Sequence, residues 1–359
     1  MLLPFTSFFN VWMKLFPDLT FAPKNNLTIH MIDVGQGLCI GVNLPNGDNV
    51  VIDTGDNSSL ASVDRYIAKV LLRHSKTLNH MIISHPDSDH SGNVLDLFTK
   101  YHPTNVYIPH MITELEDGSL QYFDSYYSFF NTITSDKSVN IDYNFAGKVL
   151  NLGGVKFTWL APNRDYYASS NDYSAVILIE YLDFSMLVTG DIGHNTGQEN
   201  KVNTEMEVMT FASILGIDTD IDVLQIAHHG SKYSTNLEFL EYFTPEVALI
   251  SVSEDNSYGH PADEIFYNMQ EYDDMYNKDL LSNTYTTMSD NNIVISVDAE
   301  SNYVIRDVGN IHDYLFISFI IVDILIFSIL VFKLIDYVLG YLELRRMRLI
   351  LFHLESDKK

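Results

Sequence analysis

Residues 84–92, SHPDSDHSG, place two imidazoles and two carboxylates within the six positions from His85 to His90, directly after the apolar run Met81-Ile82-Ile83. Gathered at the end of a buried strand without a counter-ion, such groups are costly, and a bound cation is the simplest remedy. The spacing suits coordination. His85 and Asp87, two apart in a loop, share one side, while Asp89 and His90 follow on a turn and reach a second position. Two divalent ions about 3.5–4 Å apart would acidify a shared water near neutral pH and polarise the oxygen under attack. That is hydrolysis without a side-chain nucleophile.

Each ion needs further ligands, and other apolar runs end in suitable groups. Asp191 closes LVTGD and is placed to bridge two ions; His228 and His229 close LQIAHH; His260 follows VALISVS in YGHP. Taken singly, Asp191 reads as well as a helix cap and the histidines as satisfied core groups. Together with the first cluster, all at strand ends, they read as one metal centre.

The elements that must position these groups are legible in the apolar pattern. LTIHMIDV, NVVIDTG, HMIISH, KFTWLAP, AVILIEY, SMLVTGD, DVLQIAHH, VALISVS and NIVISVD are nine strand candidates, and helices are expected over 60–73, 93–101, 204–215, 236–243 and 263–275. Since several strands end in a charged residue or histidine, the chemistry belongs along one edge of an α/β sheet system.

Composition limits the setting. The 359 residues are 46% apolar, enough for a large core. The single cysteine, Cys39 in LCIGV, excludes an internal disulfide and a cysteine-based zinc site, and reads as a small buried hydrophobe. Formal charge is −26, with 21 Lys+Arg against 47 Asp+Glu. A surface this acidic repels phosphate backbones, so a nucleic-acid substrate has to be argued against the global field.

The chain divides into an apolar N-terminal arm (1–26), broken by Pro4 and Pro17; a hydrolase-like domain (27–307); an apolar helix (314–340); and a basic tail (341–359). The run 315–332 would rise about 27 Å as a helix, close to the thickness of a bilayer's hydrocarbon, so a single-pass transmembrane helix is expected. Asp323 within it calls for a partner, such as another membrane protein. Lys333, Arg345, Arg346 and Arg348 favour a cytoplasmic tail, yet export of the large domain needs a signal that the N-terminal arm does not supply, so the side is left open.

Seven stretches occur in an order that resembles the metallo-β-lactamase superfamily, and within it the soluble domain of ComEC-type competence proteins: IDVGQG (32–37), IDTG (52–55), SHPDSDHSG (84–92), SSNDYSAVI (169–177), LVTGD (187–191), AHHGSK (227–232) and YGHP (258–261). The resemblance implies a four-layer αββα sandwich with two divalent ions, Zn2+ or Mn2+, at one edge of its sheets. It implies His85 and Asp87 on one ion, Asp89 and His90 on the other, Asp191 between them, and one imidazole of the His228-His229 pair completing a shell. His228 is taken first, although the letters do not decide. Asp89, His229 and His260 are then catalytic candidates, the two histidines as donors to the leaving group or developing charge. Asn171, Ser174, Ser231 and Lys232 line up as substrate contacts, and Asp33 and Asp53 as residues that orient loops and ligands.

Asp87 replaces the histidine common in the superfamily motif. No histidine precedes Asp191 by about twenty residues, where Asn171 and Asp172 stand, and this makes manganese as plausible as zinc. The implied function is a membrane-anchored phosphodiesterase or nuclease, with DNA as a candidate substrate. Alternatives are a hydrolase of small or lipid-linked phosphoesters such as phosphorylcholine esters, and a non-catalytic scaffold on the same fold.

Overall fold

The computed structural model describes residues 26–72, 77–111, 113–114, 120–121, 124–194, 202–308 and 311–356. The N-terminal arm lies, but for Asn26, outside the described residues, as does the side chain of Asp323. Residues up to Val308 form one compact unit and those from Gly309 a second.

The first unit is built on two large sheets. Its strands are, in chain order, β1 (Leu27–Met31), β2 (Ile40–Asn43), β3 (Asn49–Ile52), β4 (His80–Ile82), β5 (Asn105–Ile108), β6 (Thr113–Glu114), β7 (Leu120–Gln121), β8 (Asn140–Tyr143), β9 (Val149–Leu152), β10 (Val155–Ala161), β11 (Val176–Tyr181), β12 (Phe184–Val188), β13 (Val223–Gln225), β14 (Val247–Ile250), β15 (Thr284–Thr286), β16 (Asn292–Val297) and β17 (Tyr303–Val308). One sheet has the order β17-β16-β1-β2-β3-β4-β5-β8, the other β15-β14-β13-β12-β11-β10-β9, and β6-β7 is a separate ribbon. Each large sheet is antiparallel on one side and parallel on the other: β3-β4-β5-β8 and β12-β13-β14-β15 run parallel.

Alternation along the strands explains the layers. Leu27, Ile29 and Met31 of β1, Val50 and Ile52 of β3, Phe157 and Trp159 of β10 and Met186 and Val188 of β12 meet in the core between the sheets. The intervening Val51 and Met81 pack under helices such as Val94–Tyr101 on one outer face. Val176, Leu178, Leu187 and Leu224 pack under Thr204–Leu215, Leu237–Phe243 and Asp263–Tyr276 on the other. Side chains that point alternately to two buried faces produce the near-continuous apolar runs seen in the sequence. Each fully buried Val, Leu or Ile contributes roughly 1.5–3 kcal/mol. The result is the four-layer αββα sandwich that the resemblance implied.

All nine expected strands are present. The sequence reading did not identify β2, β5, β6, β7, β8, β9, β15 and β17, nor the helices Ser88–Ser91, Asp124–Ser135 and Thr287–Asp290. The helix expected over 60–73 runs from Leu60 to Leu71, its last five residues π-helical.

The second unit is a helix, Ile311–Ser356, whose 25-residue stretch Ile324–Arg348 is long and apolar enough to cross a membrane.

Candidate metal centre

The parallel halves of both sheets deliver their carboxyl ends to one edge, the usual place for a site in open α/β sheets. From one sheet come Asp53 after β3 and the loop Ser84–His90 after β4; from the other come Asp191 after β12, the His228-His229 turn after β13 and Ser251 after β14. Asp87 precedes a short helix, Ser88–Ser91, and its carbonyl accepts from His90 and Ser91 N–H, so that Asp89 and His90 are carried on one turn.

Asp191 is the hub. Its Oδ1 lies 3.1 Å from His90 Nε2, and its Oδ2 lies 3.5 Å from His229 Nε2, 3.7 Å from His228 Nε2 and 4.0 Å from His85 Nε2. His85 Nε2 is 3.8 Å from Asp87 Oδ2; His229 Nε2 is 3.3 Å from both Asp89 Oδ2 and His90 Nε2. Two groups have ligand atoms close enough to share an ion: His85, His90 and Asp191, and Asp89, His90 and His229.

The surroundings fix which nitrogen of each ring faces inward. Ser251 carbonyl accepts from His229 Nδ1 at 2.8 Å and Asp53 Oδ2 accepts from His90 Nδ1 at 2.7 Å, so both Nε2 atoms turn to the centre. His85 Nδ1 lies 3.1 Å from Ser84 Oγ and 3.2 Å from Ser174 Oγ; the first hydroxyl donates to Asp53 and the second accepts from Asp191 N–H, leaving each able to accept from the ring. His85 Nε2 is then a buried nitrogen with no hydrogen-bond partner among the described residues, set 4.0 Å from Asp191 Oδ2. Buried polar atoms are rarely left so. An orphaned imidazole nitrogen set against a buried carboxylate is what a cation would satisfy, and the oxygen-and-imidazole donor set fits Zn2+ or Mn2+.

Electrostatics support the fit. Burial disfavours charge on His90, but Asp191 and Asp53 outweigh it and hold the ring's pKa well above its usual value. Burial is likewise outweighed at His229, by Asp191 and Asp89, and its pKa is raised. Asp191, although buried, is held well below the carboxylate range by His90, His229 and His228.

The second histidine of the pair, not the first, enters the ligand groups. His228 and His229 both have positive φ, 52° and 56°, in a tight turn that buries His229 against Ser251 and leaves His228 about a third exposed beside Asn171, whose Nδ2 is 3.4 Å from its Nε2. Asp33, also expected to orient the centre, caps its own loop by accepting from Gly35 N at 3.0 Å and contacts no ligand directly. Ser231 is buried behind the His228 turn. Lys232 lies outside it, over the Tyr233 ring at 5.0 Å. His260 stands 5.7 Å from His228 and 6.5 Å from His229, centroid to centroid.

Sequence reasoning missed the residues that hold the ligands. Gln225 accepts from Thr189 and Gly190 N–H, aiming Asp191. Asn93 donates to Thr54 and Asp56 carbonyls, tying the IDTG loop to the metal loop. Ser251 Oγ donates to Gly37 carbonyl, and Leu38 N donates to Asp89 carbonyl, so the DVGQG loop spans both sheets at this edge. A polar residue interrupting an apolar strand, as in VLQIA, was the available signal for Gln225.

Among the described residues, two surface cavities bear on the choice of site. One, about 460 Å³, is lined by Ser231, Lys232, Tyr258, His260, Asp263 and Glu264 among others and adjoins the centre. The larger, about 750 Å³, is lined by residues of the helices Leu60–Tyr66 and Val94–Tyr101 and by none of the candidate ligands. Chemistry, not size, identifies the first as the relevant one.

Comparison with known proteins agrees with this architecture. The model of the metallo-beta-lactamase superfamily matches residues 32–254. ComE operon protein 3 of Bacillus subtilis is 29% identical over 259 residues, 68% of this chain and 30% of that protein. Recombination protein 2 of Haemophilus influenzae is 30% identical over 269 residues, 74% of this chain and 29% of that protein. The match thus spans under a third of each relative's length. Among solved structures, the metallo-beta-lactamase fold protein YhfI from Bacillus subtilis superposes with a TM-score of 0.47 at 12% identity, over 76% of this chain and 99% of that one.

Proposed function

Because this chain belongs to the metallo-beta-lactamase superfamily, we propose that it is a hydrolase of phosphodiesters, dependent on two divalent ions and anchored to a membrane by a single C-terminal helix. The observation that carries the reading is the orphaned buried nitrogen His85 Nε2, in a group with His90 and Asp191 whose ligand atoms lie close enough to share one ion. One ion would be held by His85, Asp87 and Asp191, the other by Asp89, His90, His229 and Asp191. When bound, such ions supply Lewis acidity and lower the pKa of a coordinated water.

The chain's own residues do the rest. Asp53 and Ser251 hold His90 and His229 in the tautomer that presents Nε2. Burial, reinforced by His228 and His229, pushes His260 down to about 4, so it is neutral at pH 7 and serves as a hydrogen-bond donor to developing charge, not as an acid. Lys232 supplies a local cation for the substrate's phosphate in an otherwise acidic surface. Asn171 and Ser174 flank the centre through His228 and Asp191.

A phosphodiester is favoured over a lactam or a thioester by Lys232 and by similarity to proteins named for recombination and competence, Recombination protein 2 of Haemophilus influenzae and Competence protein ComA of Neisseria gonorrhoeae. A second reading, small or lipid-linked phosphoesters, is favoured by the net charge of −26 and by Asp263 and Glu264 beside Lys232. The test is hydrolysis of bis-p-nitrophenyl phosphate, single-stranded DNA and a phosphorylcholine ester by the Mn2+- or Zn2+-loaded chain across a salt series. Polyanionic DNA held along its backbone loses affinity steeply with salt, whereas small esters do not. Bound metal with no turnover on any ester would leave the scaffold reading.

A further inference from the structure

We propose that the cleft beside the metal centre is a nucleobase subsite whose stacking platform is Tyr258; this rests on the phosphodiester reading and narrows it to nucleoside phosphodiesters. Tyr258 is 71% exposed. Its ring lies 5.6 Å from that of His260 at an interplanar angle of 26°, and His260 in turn lies 6.5 Å from His229 at 27°. Three flat rings therefore step outward from a candidate metal ligand to solvent, and the last has no ring stacked on its outer side among the described residues.

The platform is held in place. Asn256 Oδ1 accepts from Tyr258 N at 3.1 Å and His260 N at 3.0 Å, and Asn256 Nδ2 donates to His260 carbonyl at 2.6 Å. A preorganised aromatic face binds a base at low cost in entropy. The volume of about 460 Å³ falls within the range of small-molecule pockets.

Charge selects the ligand. Among the described residues Lys232 is the one lysine or arginine lining the cleft, and Asp263 and Glu264 line it too. A single phosphate is accommodated at Lys232, whereas a backbone of successive phosphates would meet the two carboxylates. Those carboxylates suit the exocyclic amino groups of bases, as Asp and Glu accept from cytosine N4 in other settings. One base and one phosphate are thus recognised together, and a long polyanion is not tracked.

The experiment uses the full chain in detergent with Tyr258→Ala and Tyr258→Phe. Binding of a non-hydrolysable phosphorothioate dinucleotide is measured by equilibrium dialysis, and turnover of the ordinary dinucleotide and of its abasic analogue is measured with Mn2+ added. Stacking of one base is worth about 1–3 kcal/mol, so Tyr258→Ala should weaken binding and raise KM by roughly 5- to 150-fold with kcat unchanged. Tyr258→Phe should match the native chain, and the abasic analogue should be insensitive to either change. Unchanged dinucleotide binding in Tyr258→Ala overturns the subsite. Tyr258-dependent binding without turnover by the native chain upholds the subsite and overturns the hydrolase reading alone.

Discussion

Replacing Asp53 by Asn isolates the contribution of one buried carboxylate to metal binding. Asp53 is fully buried, accepts from Ser84 N at 2.7 Å, Ser84 Oγ at 2.5 Å and His90 Nδ1 at 2.7 Å, and sits at φ 58°. Asn tolerates that left-handed backbone as well as Asp does, so the turn is retained. Its amide has one acceptor oxygen where the carboxylate has two. Whichever way it turns, an N–H meets a donor, at His90 or at Ser84. Loss of a hydrogen bond to a charged acceptor costs about 1.5–3 kcal/mol, which is roughly 10- to 100-fold in affinity, matching the usual effect of removing a ligand's supporting partner. Titration of the stripped chain with Mn2+ and Zn2+, with circular dichroism to establish folding, reads this out. A folded Asp53→Asn chain that binds both metals within twofold of the native chain would refute the tautomer-holding role.

Other expectations follow from the same geometry. Gly37 has φ 140°, and a Cβ there would lie 2.3 Å from Asp89 carbonyl oxygen, so Gly37→Ala should displace the metal loop and lower metal affinity by at least tenfold, measured by the same titration. Glu205 is buried, accepts from Thr235 and Asn236 N–H, and through Thr235 supports Ala227 just before the histidine pair. Burial pushes its pKa to about 8. The folded state then holds the proton more tightly than the unfolded chain, so this group's stabilisation is present below about pH 4.5 and is lost as pH rises through 8. Denaturant unfolding at pH 6 and pH 8.5 should show a fall in stability that Glu205→Gln reduces; an identical fall in both chains would contradict it. The full chain should sediment with membranes and resist alkaline extraction, and its complete release would remove the anchor from the account.

Much of this was legible in the letters because the strands that carry the site are buried on both faces and so read as apolar runs. β8, Asn-Ile-Asp-Tyr, and β9, Val-Leu-Asn-Leu, lie at sheet edges with one face in water, and their short alternation resembles loop. β2 carries Gly41, whose lack of a side chain admits Leu71 but weakens the strand signal. Asp124–Ser135 is rich in aromatic and hydroxyl residues, poor helix formers that tertiary packing of Tyr126, Phe129 and Ile133 overrides. His228 and His229 are indistinguishable as letters; the turn that buries one against Ser251 is a property of the fold. Gln225, Asn93 and Ser251 act on backbone groups, and such pairings leave no spacing pattern in a sequence.

The central claim is that Asp191 gathers ions from both sheets. Metal content per folded chain, measured by mass spectrometry on the native protein and Asp191→Ala after equilibration with Mn2+ and Zn2+, tests it most directly. The account predicts about two divalent ions in the native chain and the loss of at least one, with the hydrolytic activity, in the variant. Equal metal content and equal turnover in the two chains would contradict it.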